Sequence, residues 1–197
     1  MYPYPELYIL RHGETLWNQQ GRLQGQKDSP LTDKGRQQAL AQGEVLRSVK
    51  SLPHIVFVSP LGRTLTRANL AVPFIKTHLK DPRLLEINFG AWEGATRDAI
   101  SQKIKAPVQG SEWFFESPGG ETFQMISRRV MSFLQELEDP AIIVTHAVTS
   151  KVLRSLYLGL DQADLLKLPA EQGCIYHLYK GTEAVLRSAL VGPAMQI

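Results

Sequence analysis

Short apolar runs alternate with longer amphipathic stretches along this chain. Leu7–Leu10, Ile55–Val58 and Ala141–Val144 read as buried strands. Thr32–Val49 reads as a helix with Thr32 as its N-cap. Pro60–Ala71 reads as a second helix, with Pro60 acceptable in the first turn, where a helix's leading N–H groups have no internal partner anyway. Within Glu121–Glu138, the residues Phe123, Ile126, Val130, Phe133, Leu134 and Leu137 are spaced to lay one apolar stripe along a third. Ala147–Leu158 is a fourth. Near the C-terminus, Cys174–Tyr179 and Ala184–Leu190 flank Lys180-Gly181-Thr182-Glu183, the pattern of a hairpin.

Strands that alternate with helices imply an α/β fold: a doubly wound, mostly parallel sheet with helices on both faces. Residues 105–120 break the pattern with two prolines and three glycines, and they carry Trp113, Phe114 and Phe115. This stretch reads as an inserted lid segment rather than a linker between domains, so residues 1–197 form a single domain.

Composition narrows the function. Hydrophobic residues make up 43% of the 197, enough for a sizeable core. A formal charge of +3 gives little reason to expect nucleic acid or a membrane surface as partner, though a local basic pocket for a small anion remains compatible with it. The single cysteine, Cys174, excludes an intrachain disulfide and a cysteine-based zinc site. The N-terminus has neither a basic segment nor a long apolar run, so a cytoplasmic location is expected. His54, His78 and His177 have no partners at metal-ligand spacing, no Walker-type glycine loop occurs, and neither Ser59 nor Ser150 sits in a Gly-x-Ser-x-Gly elbow. No metal and no cofactor is expected.

The chemistry gathers after three of the strands. Leu7–Leu10 runs into Arg11-His12-Gly13-Glu14, Ile55–Val58 into Ser59-Pro60-Leu61-Gly62-Arg63, and Ala141–Val144 into Thr145-His146. Ligands of open parallel sheets bind beyond the carboxyl ends of the strands. If these three strands are neighbours, Arg11, His12, Arg63 and His146 surround one pocket. Two arginines and two histidines facing each other call for an anion, and a phosphoryl group suits guanidinium forks.

Six motifs in order resemble the histidine phosphatase (phosphoglycerate mutase-like) superfamily. They are Leu10-Arg11-His12-Gly13-Glu14-Thr15 with Trp17-Asn18 and Gly21-Arg22; Leu31-Thr32-Asp33-Lys34-Gly35; Ser59-Pro60-Leu61-x-Arg63; Leu85-Glu86 with Phe89-Gly90-x-Trp92-Glu93-Gly94; Pro118-Gly119-Gly120-Glu121 with Arg129-Val130; and Val144-Thr145-His146. The resemblance implies His12 as a nucleophile that becomes phosphorylated, Arg11, Arg63 and His146 as the phosphate pocket, and Glu86 as proton donor. Asn18 and Gln24 stand where the family often places further polar contacts, or are solvated loop amides. The aromatic trio either contacts a bulky, apolar leaving group or packs the lid onto the body.

Two departures from the family pattern carry expectations. Ala147 replaces the usual glycine after the second histidine, which would strain a backbone that needs positive φ. Arg67 stands where the second basic motif usually has threonine, and is expected to face solvent. The implied activity is metal-independent hydrolysis of a small phosphomonoester through a phosphohistidine. Its rivals are a phosphoglycerate mutase-type transfer and an α-ribazole phosphatase. Against the mutase, Glu86 is followed by Ile87-Asn88-Phe89-Gly90 rather than the Arg-His-Tyr-Gly typical of bisphosphate-dependent mutases. A non-catalytic phosphate-sensing or scaffold domain would have lost a key group, and all five core residues are present. The expected partner is a small phosphorylated metabolite, with a homodimer possible through the C-terminal hairpin edge.

Overall fold

The computed structural model describes residues 4–105 and 112–188. In chain order the elements are β1 (Leu7–Arg11), α1 (Leu16–Gln19), α2 (Asp33–Arg47), β2 (Ile55–Val58), α3 (Gly62–Ala71), β3 (His78–Lys80), α4 (Arg97–Ile104), α5 (Phe123–Gln135), β4 (Ala141–Thr145), α6 (Ala147–Leu158), α7 (Gln162–Lys167), β5 (Ile175–Tyr179) and β6 (Thr182–Leu186). The six strands form one sheet in the order β3-β2-β4-β1-β5-β6. The first four run parallel and β5 and β6 antiparallel, so the sheet is mostly parallel as expected from the alternating pattern.

Period-two alternation splits the core. In β1, Leu7 and Ile9 face one cluster, with Ile126, Val130, Phe133, Val152 and Leu153 from α5 and α6. Tyr8 and Leu10 face the other, with Leu46, Ala68 and Ala71 from α2 and α3. Each fully buried Val, Leu, Ile or Phe contributes about 1.5–3 kcal/mol, so helices on both faces hold the central strands rigidly.

Side-chain caps set several helix starts. Thr32 accepts from Gly35 N at 3.0 Å, as its position suggests. Thr122 accepts from Met125 N at 3.3 Å, so α5 begins at Phe123, where the apolar stripe starts, and not at the expected Glu121. Pro60 lies outside its helix: Leu61 is the N-cap of α3, with an extended backbone. Lys180 and Gly181 turn the C-terminal hairpin with φ of 48° and 74°, the pair of positive values a two-residue primed turn needs. The second strand therefore starts at Thr182, not Ala184, and the expected residues 189–190 lie outside the described ones.

Of the expected lid, residues 106–111 also lie outside the described ones. Glu112–Phe115 form a 3-10 turn. No helix among the described residues is long and apolar enough to cross a membrane.

Candidate active site

The strands β2, β4 and β1 are adjacent, so the condition set by the sequence is met. Their pairing continues past the strand ends: His12 N donates to Thr145 O at 3.0 Å, and Ser59 N to Val144 O at 3.0 Å. Arg11 and His12, Ser59 to Arg63, and His146 are thereby held on one edge of the sheet.

Gly13 and Gly35 make a close approach behind His12. A Cβ on Gly13 would lie 2.3 Å from Gly35 O, so only glycine lets the two segments touch. The turn aims the Gly13 carbonyl at His12 Nδ1, 2.8 Å away. Nδ1 must donate to that acceptor, which leaves the lone pair on Nε2. Burial, then the charges of Arg63 and Arg11, hold the His12 pKa well below the usual 6.5. The imidazole is neutral near pH 7, as a nucleophile requires.

The two arginines are anchored by carbonyls. Arg63 donates from Nη1 to Lys27 O (2.7 Å) and Asp28 Oδ1 (3.1 Å), and from Nη2 to Gly25 O (2.8 Å). Arg11 Nη1 donates to Ala170 O. Burial lowers the pKa of both, while the charge of Glu86 opposes it. Arg11 Nε, Arg63 Nε and His146 Nδ1 are all buried with no partner among the described residues. Buried polar atoms without partners are rare, and two guanidinium N–H groups and a ring nitrogen left so at these strand ends suit an anion.

His146 is fully buried, its ring centroid 5.3 Å from that of His12. Its Nε2 lies 2.7 Å from Ser59 Oγ. Burial, then Arg63, His12 and Arg11, keep its pKa well below 6.5. Glu86 reaches the first turn of the helix that His146 caps. It accepts from Val148 N (3.2 Å), Thr149 N (3.1 Å) and Thr149 Oγ1 (3.2 Å), and also from Ile87 N (3.1 Å). A helix N-terminus is a natural seat for a carboxylate. The same α6 start therefore positions both His146 and Glu86.

Asn18 Oδ1 accepts from Thr15 N at 3.1 Å and from Gln172 Nε2 at 3.0 Å. Gln24 is buried; its Nε2 donates to Thr15 Oγ1 at 2.8 Å and its Oε1 has no partner. The Gln24 amide is therefore not a solvated one, while Asn18 is partly exposed with its oxygen held inside the fold. Trp113 is buried in the core, 5.7 Å from Trp92 between ring centroids, and Phe114 and Phe115 pack partly buried against the same cluster.

Two expectations are overturned. Arg67 does not face solvent: it is fully buried, with Nη1 3.3 Å from Gly35 O and Nη2 3.4 Å from Gln38 O. Its helix turns this face onto α2 and the back of Gly13, where a Cβ would meet Nη1 at 2.8 Å. Burial lowers its pKa to about 9. Ala147 is unstrained, because it is the first helical residue of α6 and does not have positive φ.

Sequence reasoning missed Ser59 as a partner of His146, Asp28 as the counter-charge of Arg63, Thr149 as a holder of Glu86, and Gln172 across from Asn18. Each meets its partner only across the fold. Thr149, three residues after His146 in a helix's first turn, is the one with a local cue. Glu14 and Glu93 are committed elsewhere: Glu14 pairs with Lys34 at 3.0 Å, and Glu93 accepts from Gln26 N at 2.7 Å.

Residues 7–188 match the model of the histidine phosphatase superfamily (branch 1). A curated relative, "Probable phosphoglycerate mutase GpmB" of Salmonella choleraesuis, is 38% identical over 165 residues, covering 79% of this chain and 75% of that protein. Among solved structures, the alpha-ribazole phosphatase from Shigella flexneri has a TM-score of 0.78 at 27% identity and covers 95% of this chain and 98% of that one. Bacillus stearothermophilus YhfR has a TM-score of 0.75 at 32% identity, with 95% and 98% covered. The match spans both sheet edges and every strand end described above, and this chain belongs to the histidine phosphatase superfamily.

Proposed function

We propose that this enzyme hydrolyses a small phosphomonoester through a phosphohistidine on His12, with Glu86 as the acid–base group. The observation that carries the reading is the orientation of His12. Its Nδ1 is tied to Gly13 O, which leaves the lone pair on Nε2, and among the described residues Arg11 Nε and Arg63 Nε of the same pocket are buried N–H groups without acceptors. Phosphoryl transfer depends chiefly on in-line positioning and charge stabilisation.

In the first step, His12 Nε2 attacks phosphorus and the P–O bond to the leaving group breaks. Arg11 and Arg63 neutralise the non-bridging oxygens, and His146 adds a donor. The Glu86 carboxyl gives its proton to the departing oxygen. In the second step the Glu86 carboxylate takes a proton from water as the water attacks the phosphohistidine. That returns free His12, inorganic phosphate and protonated Glu86.

Gln24 joins this pocket if its amide is turned by half a rotation. The Thr15 hydroxyl then donates to Oε1, and the –NH2 end takes the orphaned position and faces the anion. Asn18 supplies a second amide, held in place by Gln172. The chain is read as a single domain; Trp113 anchors Glu112–Phe115, the described start of the expected lid's second half, to the core, which leaves the less buried Phe114 and Phe115 as its candidates for contact with the leaving group. The substrate is a small phosphorylated metabolite, the compartment the cytoplasm, and the assembly a homodimer through β6.

A mutase is the second reading, favoured by the name of the GpmB relatives. Against it, Ile87 and Phe89, which follow the acid residue, are buried apolar groups and provide no cation for a glycerate carboxylate. One panel separates the two. Phosphate release from phosphorylated metabolites is measured beside conversion of 3-phosphoglycerate, with and without bisphosphoglycerate. Hydrolysis with acid-labile, base-stable phosphate trapped on His12 supports the phosphatase. Bisphosphate-dependent isomerisation without phosphate release would replace it with the mutase.

A further inference from the structure

Ser59 closes β2 and is fully buried, and among the described residues its hydroxyl has one partner, His146 Nε2 at 2.7 Å. Two proton arrangements fit that distance. If Nε2–H donates to Ser59, the serine's own proton has no acceptor and the Nδ1 lone pair is also buried without a donor. The charges of Arg11 and Arg63 act on the ring, but neither makes a hydrogen bond to Nδ1. If Ser59 donates to Nε2, its proton is satisfied, and the only orphan is an N–H at Nδ1, the kind of group that a phosphoryl oxygen satisfies. A buried hydroxyl spends its one proton where an acceptor stands, and Nε2 is the acceptor within reach.

The geometry points to Ser59 as a positioning residue: its hydroxyl donates to His146 Nε2 and holds the imidazole in the Nδ1–H tautomer, presenting that N–H to a phosphoryl oxygen. This rests on the reading of the pocket as a phosphoryl-transfer site. The serine is itself fixed from both sides. Its N–H extends the β2–β4 ladder to Val144 O, and its carbonyl accepts from Thr64 Oγ1 at 2.9 Å. The backbone of the second basic motif thus sets the proton of the second histidine, four residues before Arg63 makes its own contribution. His146 then acts as a directional donor, and the two arginines carry the pocket's charge. A hydrogen bond to one ring nitrogen that fixes which nitrogen carries the proton has the same logic as in metal sites and triads.

The test is nitrogen-15 correlation spectroscopy of the histidine rings in the full-length enzyme, with His146 assigned by its loss in His146→Gln. The wild type is expected to show a protonated Nδ1 and an acceptor-type Nε2, with the Nδ1 signal moving when orthovanadate binds. Ser59→Ala should move the ring toward the Nε2–H tautomer. It should weaken vanadate binding and kcat/KM by roughly 10- to 100-fold, as for loss of one aligned donor. Ser59→Thr, which keeps the hydroxyl, should retain the wild-type tautomer and most of the activity. A wild-type Nε2–H overturns the assignment whatever the variants do, so a Ser59→Ala protein that fails to fold leaves the question decided. A wild-type Nδ1–H that ignores bound vanadate removes the donor role. Trapping of phosphohistidine in the wild type judges the phosphatase reading separately.

Discussion

Replacing Arg67 with methionine should weaken anion binding and leave the unliganded fold as stable or more so. The guanidinium is fully buried, yet its two carbonyl contacts are long, at 3.3 and 3.4 Å, its Nε has no partner, and no salt bridge to it exists among the described residues. Gly35 and Gln38 lie inside α2, where helical N–H groups already serve their carbonyls, so removing the arginine orphans nothing. Replacing buried charge by well-packed apolar groups is often neutral or stabilising by about 1–4 kcal/mol. Methionine is shorter than arginine, but its flexible, unbranched chain adapts to the space that the guanidinium leaves. The charge acts forward, because Nη1 lies against Gly13 and the field of Arg67 reaches His12. A unit charge taken at roughly 10 Å from the phosphoryl group, at an effective dielectric of about 20, contributes ~1.7 kcal/mol per negative charge, or more than tenfold in affinity. Urea unfolding with and without saturating orthovanadate measures both quantities, together with kcat/KM. Arg67→Met should show an unchanged or higher midpoint without ligand and a vanadate-induced gain that shrinks by about 1–3 kcal/mol. A large loss of stability with unaltered vanadate affinity would show Arg67 to be a structural strut.

His12→Ala should fold normally and lose on the order of 10⁴-fold or more in turnover; near-wild-type phosphate release from purified variant would refute the nucleophile. Glu86→Gln should slow alkyl phosphates most and give with p-nitrophenyl phosphate a burst of about one equivalent of nitrophenolate, because deacylation-like hydrolysis of the phosphohistidine stalls; equal slowing of both substrates without a burst would clear Glu86 of the role. Burial lowers the pKa of both His12 and His146, so the unfolded chain binds more protons than the native one just below pH 6.5. Native stability should therefore fall with acidification from about pH 6.5, at up to about 1.4 kcal/mol per pH unit for each histidine, and a His12→Gln, His146→Gln double variant should lose that dependence in denaturant titrations. Gly13→Ala should cost about 1–3 kcal/mol by forcing Cβ against Gly35 O, where an ordinary midpoint in thermal unfolding would contradict the close approach. Activity should survive exhaustive dialysis against EDTA, and restoration by a divalent ion after a loss would bring a metal into the mechanism.

The sequence by itself determined the strands, because four-residue apolar runs such as Ile55–Val58 have one stable use in an α/β chain, a buried strand. It also placed Arg11, His12, Arg63, Glu86 and His146, the residues of the proposed chemistry, in local motifs that can be read without any contact information. Helix starts were less legible. The Thr122 cap starts α5 after the expected Glu121, and Leu61, an extended N-cap with no side-chain hydrogen bond, gives periodicity nothing that marks the start of α3. Tertiary structure alone decided which strands are neighbours and thus that β2, β4 and β1 bring three motifs to one edge. It decided the burial of Arg67, since a helix's polar residue faces solvent or protein according to what packs on that side, and here α2 does. It also decided the proton positions. Gly13 O selects the free nitrogen of His12 and Ser59 the partner of His146, through contacts of under 3 Å that sequence spacing does not encode. A motif names the reactive atoms, but hydrogen bonds across the fold choose which of them carries the proton.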